Sequence, residues 1–258
     1  MKNPRSILIT GASSGIGAAL ARRYAAASIH LSLSGRDAGR LNAVAEDCRR
    51  KGAGVTTALI DVTDTDSMRT WVAVTDDHHP IDLVIANAGI SGGTAGGGES
   101  AAQARRIFEV NLTGTLNTID PAIHRMAPRK KGQVALFSSL AGFSGWPGAP
   151  AYSAAKGAIR LYGEALRGAL GRHGIEVSVV CPGFVATPMT DVNPYPMPLL
   201  MPVGRAAEII AAGLAKNRGR IAFPLPTYLL VRLISALPQD LGLALRRRLP
   251  EKPAASKS

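Results

Sequence analysis

The chain has 258 residues, of which 46% are hydrophobic, enough for one α/β domain with a large core, and its formal net charge is +12 at pH 7. Its two cysteines, Cys48 and Cys181, and its five scattered histidines show no spacing typical of a disulfide framework, a metal site or a Ser-His-Asp hydrolase. Much of the positive charge lies in 125–131 and 246–257 without aromatic residues that could stack on bases, which disfavours nucleic-acid binding.

The first residues, MKNPRSILIT, contain an apolar run far too short for the core of a signal peptide. No segment of the chain approaches the roughly 18 uninterrupted apolar residues of a membrane-spanning helix. We therefore expect a cytoplasmic protein.

Short apolar runs alternate along the chain with longer segments of helical period that are rich in Ala, Leu and Arg. The runs have the composition of buried strands. This alternation predicts a single doubly wound α/β domain of Rossmann type over 1–224, with about seven parallel strands and helices on both faces. The predicted strands are SILIT, IHLSLS, VTTALI, IDLVIA, QVALFS, EVSVVC and GRIAFP.

The loop after the first strand, Thr10 to Gly17, reads TGASSGIG and leads into a helical segment. Its glycines permit a tight turn and a close approach of the backbone to a pyrophosphate at a helix N-terminus. Glycine-rich turns also occur in ordinary strand-to-helix loops, so this signal is weak by itself.

The second strand ends Ser34-Gly35-Arg36, where an NAD site usually offers an acidic residue to the ribose 2′-hydroxyl. An arginine there can instead pair with the 2′-phosphate of NADP(H), which we take as the favoured cofactor over NAD(H). Asp37 follows at once, so an alternative remains in which Arg36 and Asp37 only form a solvated helix start. Asp61, Val62 and the segment 87–89 follow the third and fourth strands and are further cofactor candidates.

Tyr152 and Lys156 are four residues apart behind Pro150, which suits a helix start, so both side chains should share one helix face. A lysine near a tyrosine should lower the tyrosine pKa from about 10 and make it usable in proton transfer. A coincidental solvated pair is the alternative. Ser138 and Ser139 end the fifth strand and should reach the same crevice, although strand-end serines also merely cap turns.

Six ordered motifs together resemble the short-chain dehydrogenase/reductase family in its short single-domain form, and the match runs from about Ile7 to Thr187. The motifs are TGASSGIG at 10–17, NAG at 87–89, Asn111, Ser139, Y-x-x-x-K at 152–156 and P-G-x-x-x-T at 182–187. The resemblance implies that Tyr152 is the acid or base, that Lys156 binds the nicotinamide ribose and tunes Tyr152, that Ser139 orients the substrate, and that Asn111 supports a proton-relay water.

The resemblance also implies which residues line the cofactor site, and Arg36 joins them because of the charge argument above. The scattered histidines indicate no metal site. The cofactor residues are Gly11, Ser13, Ser14, Gly15, Ile16, Gly17, Arg36, Asp61, Val62, Asn87, Ala88, Gly89, Tyr152, Lys156, Pro182, Gly183, Val185 and Thr187. It further suggests a homodimer or homotetramer, with helices around 101–126 and 150–172 at an interface.

The segment 183–205 is broken by prolines and rich in Met and Leu, so we predict a substrate lid that favours an apolar or acyl-bearing substrate. The following extension, 225–249, is apolar and then basic. It could pack at a subunit interface, which we prefer, or make weak contact with an anionic membrane surface. The tail 250–258 is predicted to be disordered.

We predict a hydride transfer in which NADP(H) reduces the carbonyl group of a small molecule, such as a ketone or 3-oxoacyl compound, to an alcohol. The nearest alternative is an NAD-dependent dehydrogenase of the alcohol or hydroxysteroid type. A sugar-nucleotide epimerase or dehydratase would need a larger C-terminal domain than this chain supplies. A catalytically inactive nucleotide-binding scaffold is a third alternative, against which the filled catalytic positions argue.

Overall fold

A computed structural model describes residues 3–94 and 97–247. Within them, seven strands form one sheet in the order β3-β2-β1-β4-β5-β6-β7, and every neighbouring pair is parallel. This confirms the predicted doubly wound fold with a single domain. The strands are β1 Ser6–Ile9, β2 His30–Gly35, β3 Gly54–Leu59, β4 Leu83–Ala86, β5 Gly132–Phe137, β6 Ile175–Pro182 and β7 Arg220–Phe223.

Helices cover both faces of the sheet. Ile7 and Ile9 of β1 pack into a core with α1, α2 and α8, whereas Leu8 packs into a second core with α3, α5 and α6. Successive side chains of a strand point to opposite faces, which is why one short strand serves both cores. The helices are α1 Gly15–Tyr24, α2 Ala38–Arg50, α3 Thr65–His78, α4 Ala101–Phe108, α5 Gly114–Arg129, α6 Pro150–Gly171, α7 Pro188–Asp191, α8 Val203–Ala215, α9 Leu225–Ala236 and α10 Gln239–Arg246.

Strand β3 differs from its prediction. Its sequence was read as a buried strand, but most of its side chains are exposed or half-buried, and Leu59 is 62% exposed. The prediction is wrong because β3 is the outermost strand at one edge of the sheet, where helices no longer cover both faces. Composition alone does not distinguish an edge strand from a central one.

The chain leaves β6 at the carboxyl edge of the sheet and enters the predicted lid. The predicted lid, 183–205, contains the one-turn helix α7, and its two ends are tied by a parallel bridge between Val185 and Met201. The extension 225–249 forms α9 and α10 as far as Arg247. The predicted disordered tail, 250–258, lies outside the described residues.

Cys48 and Cys181 are both buried, and they form no disulfide, as their number and spacing indicated. In the described ranges, no helix is long and apolar enough to cross a membrane. The same ranges contain no group of three or more His, Cys, Asp or Glu side chains that could hold a metal ion.

Candidate active site

The turn between β1 and α1 depends on glycine. Gly11 and Gly15 have φ values of +67° and +53°, in the left-handed region that side chains rarely adopt. A Cβ on Gly11 would lie 2.8 Å from the Cα of Ala88, and a Cβ on Gly17 would lie 2.3 Å from the carbonyl oxygen of Gly11. The glycines therefore let the turn close tightly against the end of β4 and against the first turn of α1.

The N-terminus of α1 is half-buried and receives no side-chain cap from its N-cap residue. Ser14 precedes the helix but makes no side-chain cap hydrogen bond, and the first turn contains no acidic residue. The first backbone N–H groups of a helix lack intrahelical partners and carry a partial positive charge. An anionic group such as a pyrophosphate fits this end of the helix.

A cleft of about 510 Å³ extends from this turn along the carboxyl edge of the sheet. The cleft is lined by Ser34 and Gly35, which belong to the predicted strand-end segment 34–36, and by residues that were not predicted from sequence: Asp37, Arg40, Ile60, Ile90, Val110, Pro188 and Met189. Twelve predicted cofactor residues line it: Gly11, Ser13, Ser14, Gly15, Ile16, Arg36, Asp61, Val62, Asn87, Ala88, Gly89 and Thr187.

Six other predicted cofactor residues do not line this cleft: Gly17, Pro182, Gly183, Val185, Tyr152 and Lys156. Gly17 lies beneath the turn, against the Gly11 carbonyl. Val185 is buried in the core, and Pro182 and Gly183 lie at the end of β6. The backbone N–H of Gly183 donates to the carbonyl of Phe223 at 2.7 Å, so this segment belongs to the frame behind the site.

Charged side chains gather at the end of the cleft beside β2 and β3. Arg36 is 53% exposed at its side chain, and its Nη1 lies 4.0 Å from Oδ2 of Asp61. Arg106 donates from Nη2 to the same oxygen at 3.0 Å. Burial opposes the charge of Asp61, but hydrogen bonds from Thr63 and Arg106 outweigh burial and lower the pKa of the carboxyl group. Nothing in the sequence pattern identified Arg106 as this partner.

Asp37 has the structural role that the alternative reading assigned to it. It is the N-cap of α2, and its side chain accepts a hydrogen bond from the backbone N–H of Arg40 at 2.9 Å. The side chain of Arg40 pairs with the same carboxylate. Arg36 and Arg40 nevertheless both line the cleft, so the cap and a cofactor contact are compatible. The position of Arg40 in the first turn of α2, four residues after Arg36, was an available signal.

Asn87 and Asn111 hold the loop after β4. Asn87 donates from Nδ2 to the carbonyls of Thr10 and Gly11 at 3.1 and 3.2 Å. Asn111 lies in a π-helical turn, Glu109–Thr113, and its side-chain amide makes two hydrogen bonds with the backbone of Ile90 at 2.8 and 2.9 Å. Asn111 is fully buried and fixes the inner wall of the cleft. Its role beside a relay water stays a prediction.

Three predicted catalytic residues lie close together next to the loop after β4: Ser139, Tyr152 and Lys156. Pro150 begins α6, and Nζ of Lys156 lies 5.7 Å from the centre of the Tyr152 ring. The side chains of Ser139 and Tyr152 are hydrogen-bonded. Lys156 donates to the carbonyl of Phe137 at 2.8 Å, and a Cβ on Gly89 would lie only 3.4 Å from its Nζ. Lys156 therefore lies beside Gly89, which lines the cleft, and links the cleft to Tyr152 and Ser139.

Both strand-end serines have structural contacts, and Ser139 is the one that caps a turn, the short helix that begins at Leu140. The buried hydroxyl of Ser138 donates to the backbone carbonyl of Lys156 at 2.7 Å, which joins the end of β5 to α6. Ser139 is half-buried, donates to the carbonyl of Pro182 at 3.3 Å and accepts from the N–H of Ala141 at 3.1 Å. The contact of Ser139 with a substrate stays a prediction.

The pKa values of the pair are set mainly by burial. Burial raises the pKa of the Tyr152 hydroxyl, and its hydrogen bond with Ser139 opposes this only in part. Burial also lowers the pKa of Lys156 to about 8. The prediction that Lys156 lowers the Tyr152 pKa is wrong in this structure, because burial penalises the phenolate more strongly than its surroundings stabilise it.

Lys156 should cost stability below pH 8. Its charged form is present in the folded chain only below a pKa of about 8, against 10.5 in the unfolded chain. The cost is complete below pH 8 and disappears as the pH rises to 10.5. Lys156→Met should therefore raise the free energy of unfolding at neutral pH by up to about 3 kcal/mol, because one pKa unit corresponds to about 1.4 kcal/mol.

Urea unfolding of both chains at neutral pH and near pH 10 measures this difference. We expect the advantage of Lys156→Met to shrink with rising pH, since the wild-type lysine then loses its charge. An advantage that is independent of pH would show that the gain comes from packing and not from the buried charge.

The chain is similar to a known protein family and to several solved structures. The family model described as short chain dehydrogenase matches residues 5–195. An uncharacterized oxidoreductase of Myxococcus xanthus strain DK1622 is 35% identical over 246 residues, which are 95% of this chain and 97% of that protein. A short-chain dehydrogenase from Sphingobium yanoikuyae, solved in complex with NADPH, is 26% identical with a TM-score of 0.79, over 98% of this chain and 100% of the other. A short-chain dehydrogenase/reductase from Burkholderia phymatum, solved with NAD, has a TM-score of 0.82 over 98% of each chain and, at 23% identity, shows the fold alone.

Proposed function

Because the chain belongs to the short-chain dehydrogenase family, as its motifs predicted, we propose that it reduces a carbonyl group to an alcohol with NADPH. The chain is an oxidoreductase, and this family acts on CH–OH and C=O groups with NAD(P). The observation that carries the proposal is the hydrogen-bonded pair of Ser139 and Tyr152 beside the buried Lys156, whose Nζ lies next to Gly89 of the cleft.

The residues of this chain supply the proton and the orientation. The nicotinamide, when bound, supplies the hydride that adds to the carbonyl carbon. The Ser139 hydroxyl would hold the carbonyl oxygen, and the Tyr152 hydroxyl would give its proton to that oxygen. Because burial raises its pKa, Tyr152 is protonated at neutral pH, which suits a proton donor and hence the direction of reduction.

Lys156 would have two roles in this reaction, one toward the cofactor ribose and one toward Tyr152. Below its pKa of about 8 the side chain is a cation. An ammonium group at this position would bind the hydroxyls of the nicotinamide ribose and stabilise the Tyr152 phenolate that remains after proton transfer.

The preference for NADPH is supported by charge at the far end of the cleft. Two guanidinium groups, Arg36 and Arg40, line that end, and the carboxylate of Asp37 is already engaged by the N-terminus of α2 and by Arg40. Guanidinium groups bind phosphate through charge-assisted hydrogen bonds. Asp37 also lines the cleft, which favours a second candidate, NAD-linked oxidation of an alcohol, should the carboxylate turn to the ribose instead.

The lid supports an apolar or acyl-bearing substrate. Met189, Val192, Leu199 and Leu200 on this segment are 38 to 65% exposed, which gives the region beside the cleft an apolar surface. Apolar walls with a few polar groups are typical of sites for small apolar ligands.

Initial rates of NADPH oxidation with a panel of carbonyl compounds test the proposal. We expect apolar ketones or 3-oxoacyl thioesters to be reduced with kcat/KM at least about tenfold above that of short polar ketones, the order expected from a few buried methylene groups. Turnover only with NAD and an alcohol would favour the second candidate. No turnover with either cofactor across the panel would contradict the proposed reaction.

A further inference from the structure

The helix that follows the last strand presents a row of leucines to solvent. Leu225, Leu229 and Leu233 recur every four residues along α9 and are 61, 57 and 64% exposed. Residues at this spacing lie on one face of a helix, and Val231 on another face is buried against the domain. On α10, Leu241 and Leu245 are again four residues apart and 53 and 40% exposed.

The domain holds this leucine face in a defined position. Tyr228 packs edge-on against Phe143 with ring centres 5.5 Å apart, and its hydroxyl accepts a hydrogen bond from Arg220 at 3.0 Å. The hydroxyls of Ser144 and Ser235 are hydrogen-bonded at 2.7 Å. The exposed leucines therefore belong to a helix that is already docked on its other side, so their exposure does not result from a missing contact with the domain.

The last fifth of the sequence, which contains α9 and α10, is strongly basic. No acidic residue occurs between Glu208 and Asp240, and residues 209–258 contain nine basic and two acidic residues, which leaves +7 of the total +12 in this fifth of the chain. Arg232, which is exposed, lies within the leucine-rich stretch of α9, and Arg247 follows α10. The occupant of the face must tolerate long apolar side chains and attract positive charge.

From these observations we propose that α9 and α10 dock this chain on an anionic lipid membrane. An amphipathic helix that lies in the headgroup region buries its apolar face in the acyl boundary and gains from contact between basic residues and anionic lipids. A second copy of the chain fits less well, because a two-fold interface would bring this same face against it, and the stretch between Glu208 and Asp240 offers no acidic residue to pair with Arg232.

Cosedimentation of the full-length protein with vesicles tests this docking. We expect binding to vesicles of phosphatidylcholine with about one third phosphatidylserine, and at least about tenfold weaker binding to phosphatidylcholine alone or at high salt, since surface charge attraction is screened. The double variant Leu229→Gln, Leu233→Gln should bind the anionic vesicles at least about tenfold more weakly, because it removes apolar area from the interface. Val74→Gln, at a 50% exposed position on α3, is the matched control and should bind as the wild type does.

A second variant keeps the test decisive if the double variant misfolds. In Leu233→Trp the added indole should be quenched by brominated lipids in anionic vesicles, whereas Val74→Trp should show no added quenching. Equal binding to both vesicle types, unchanged binding of the glutamine variant, or an absence of quenching would overturn the proposal. So would a glutamine variant that only converts a dimer to a monomer in sedimentation velocity.

The docking is independent of the proposed reaction. Tyr152→Phe should bind vesicles as tightly as the wild type, because Tyr152 lies in the site and not on the leucine face. A chain that binds vesicles but reduces no carbonyl compound would contradict only the reaction, and the reverse result would contradict only the docking.

Discussion

Tyr152→Phe should lower kcat/KM for carbonyl reduction by at least about 1000-fold, while the dissociation constant for NADPH changes by less than about threefold. A positioned general acid contributes on the order of 100- to 10,000-fold to a rate. Phenylalanine keeps the ring contacts with Ile107, Ala151 and Ala155 but has no proton to give to the carbonyl oxygen. It also removes the hydrogen bond with Ser139. Initial rates of NADPH oxidation and a nucleotide titration measure the two quantities.

The matched control for this substitution lies on the same helix. Tyr162→Phe removes a tyrosine hydroxyl ten residues further along α6, where the side chain is 38% exposed and away from Ser139. It should leave kcat/KM within about twofold of the wild type, as for an ordinary surface change. Retained turnover in Tyr152→Phe would refute its role as the proton donor. Loss of nucleotide binding along with turnover would instead indicate a disturbed site.

Arg36→Ala combined with Arg40→Ala should raise the dissociation constant for NADPH by about 100-fold and leave that for NADH nearly unchanged. Each guanidinium that binds a phosphate by charge-assisted hydrogen bonds is expected to contribute roughly tenfold or more, and only NADPH carries the 2′-phosphate. Fluorescence titration of the nicotinamide at one fixed salt concentration measures both constants, because screening changes such contacts. Each single variant should account for part of the effect.

The control variant is Arg69→Ala, which removes an exposed arginine paired with Asp66 on α3, away from the cleft. It should leave both dissociation constants unchanged. A wild-type preference for NADH would overturn the NADPH assignment and favour the dehydrogenase alternative. Equal losses for both nucleotides in the double variant would show that the arginines maintain the shape of the site and do not read the phosphate.

Parts of the candidate site could be predicted from local sequence, because certain backbone geometries and contacts strongly favour one type of residue. Glycine is favoured at the left-handed φ values of Gly11 and Gly15, and only a residue without a side chain fits against the Gly11 carbonyl at Gly17. Tyr152 and Lys156 share a helix face because of their spacing, and Ser139 is delivered by the end of its strand. These parts of the candidate site could be read from order and spacing alone.

Other parts depended on residues that are distant along the chain. Arg106 pairs with Asp61, which lies 45 residues earlier in the sequence, and no local sequence pattern predicts that ion pair. The exposure of β3 follows from its place at the sheet edge. Whether Lys156 would lower the pKa of Tyr152 depended on how deeply both are buried, which is a property of the packed structure.

The sequence by itself determined the class of fold, the family and the candidate catalytic residues, because apolar periodicity, glycine turns and helix spacing are local patterns of consecutive residues. Only the tertiary structure decided that Arg106 pairs with Asp61, that the Ser138 hydroxyl bonds to the carbonyl of Lys156, and that burial raises the pKa of Tyr152. It also decided that the leucines of α9 remain exposed. The burial of a side chain, its pKa and its hydrogen-bond partners depend on which distant segments of the chain come into contact, and this is decided only when the whole chain is packed.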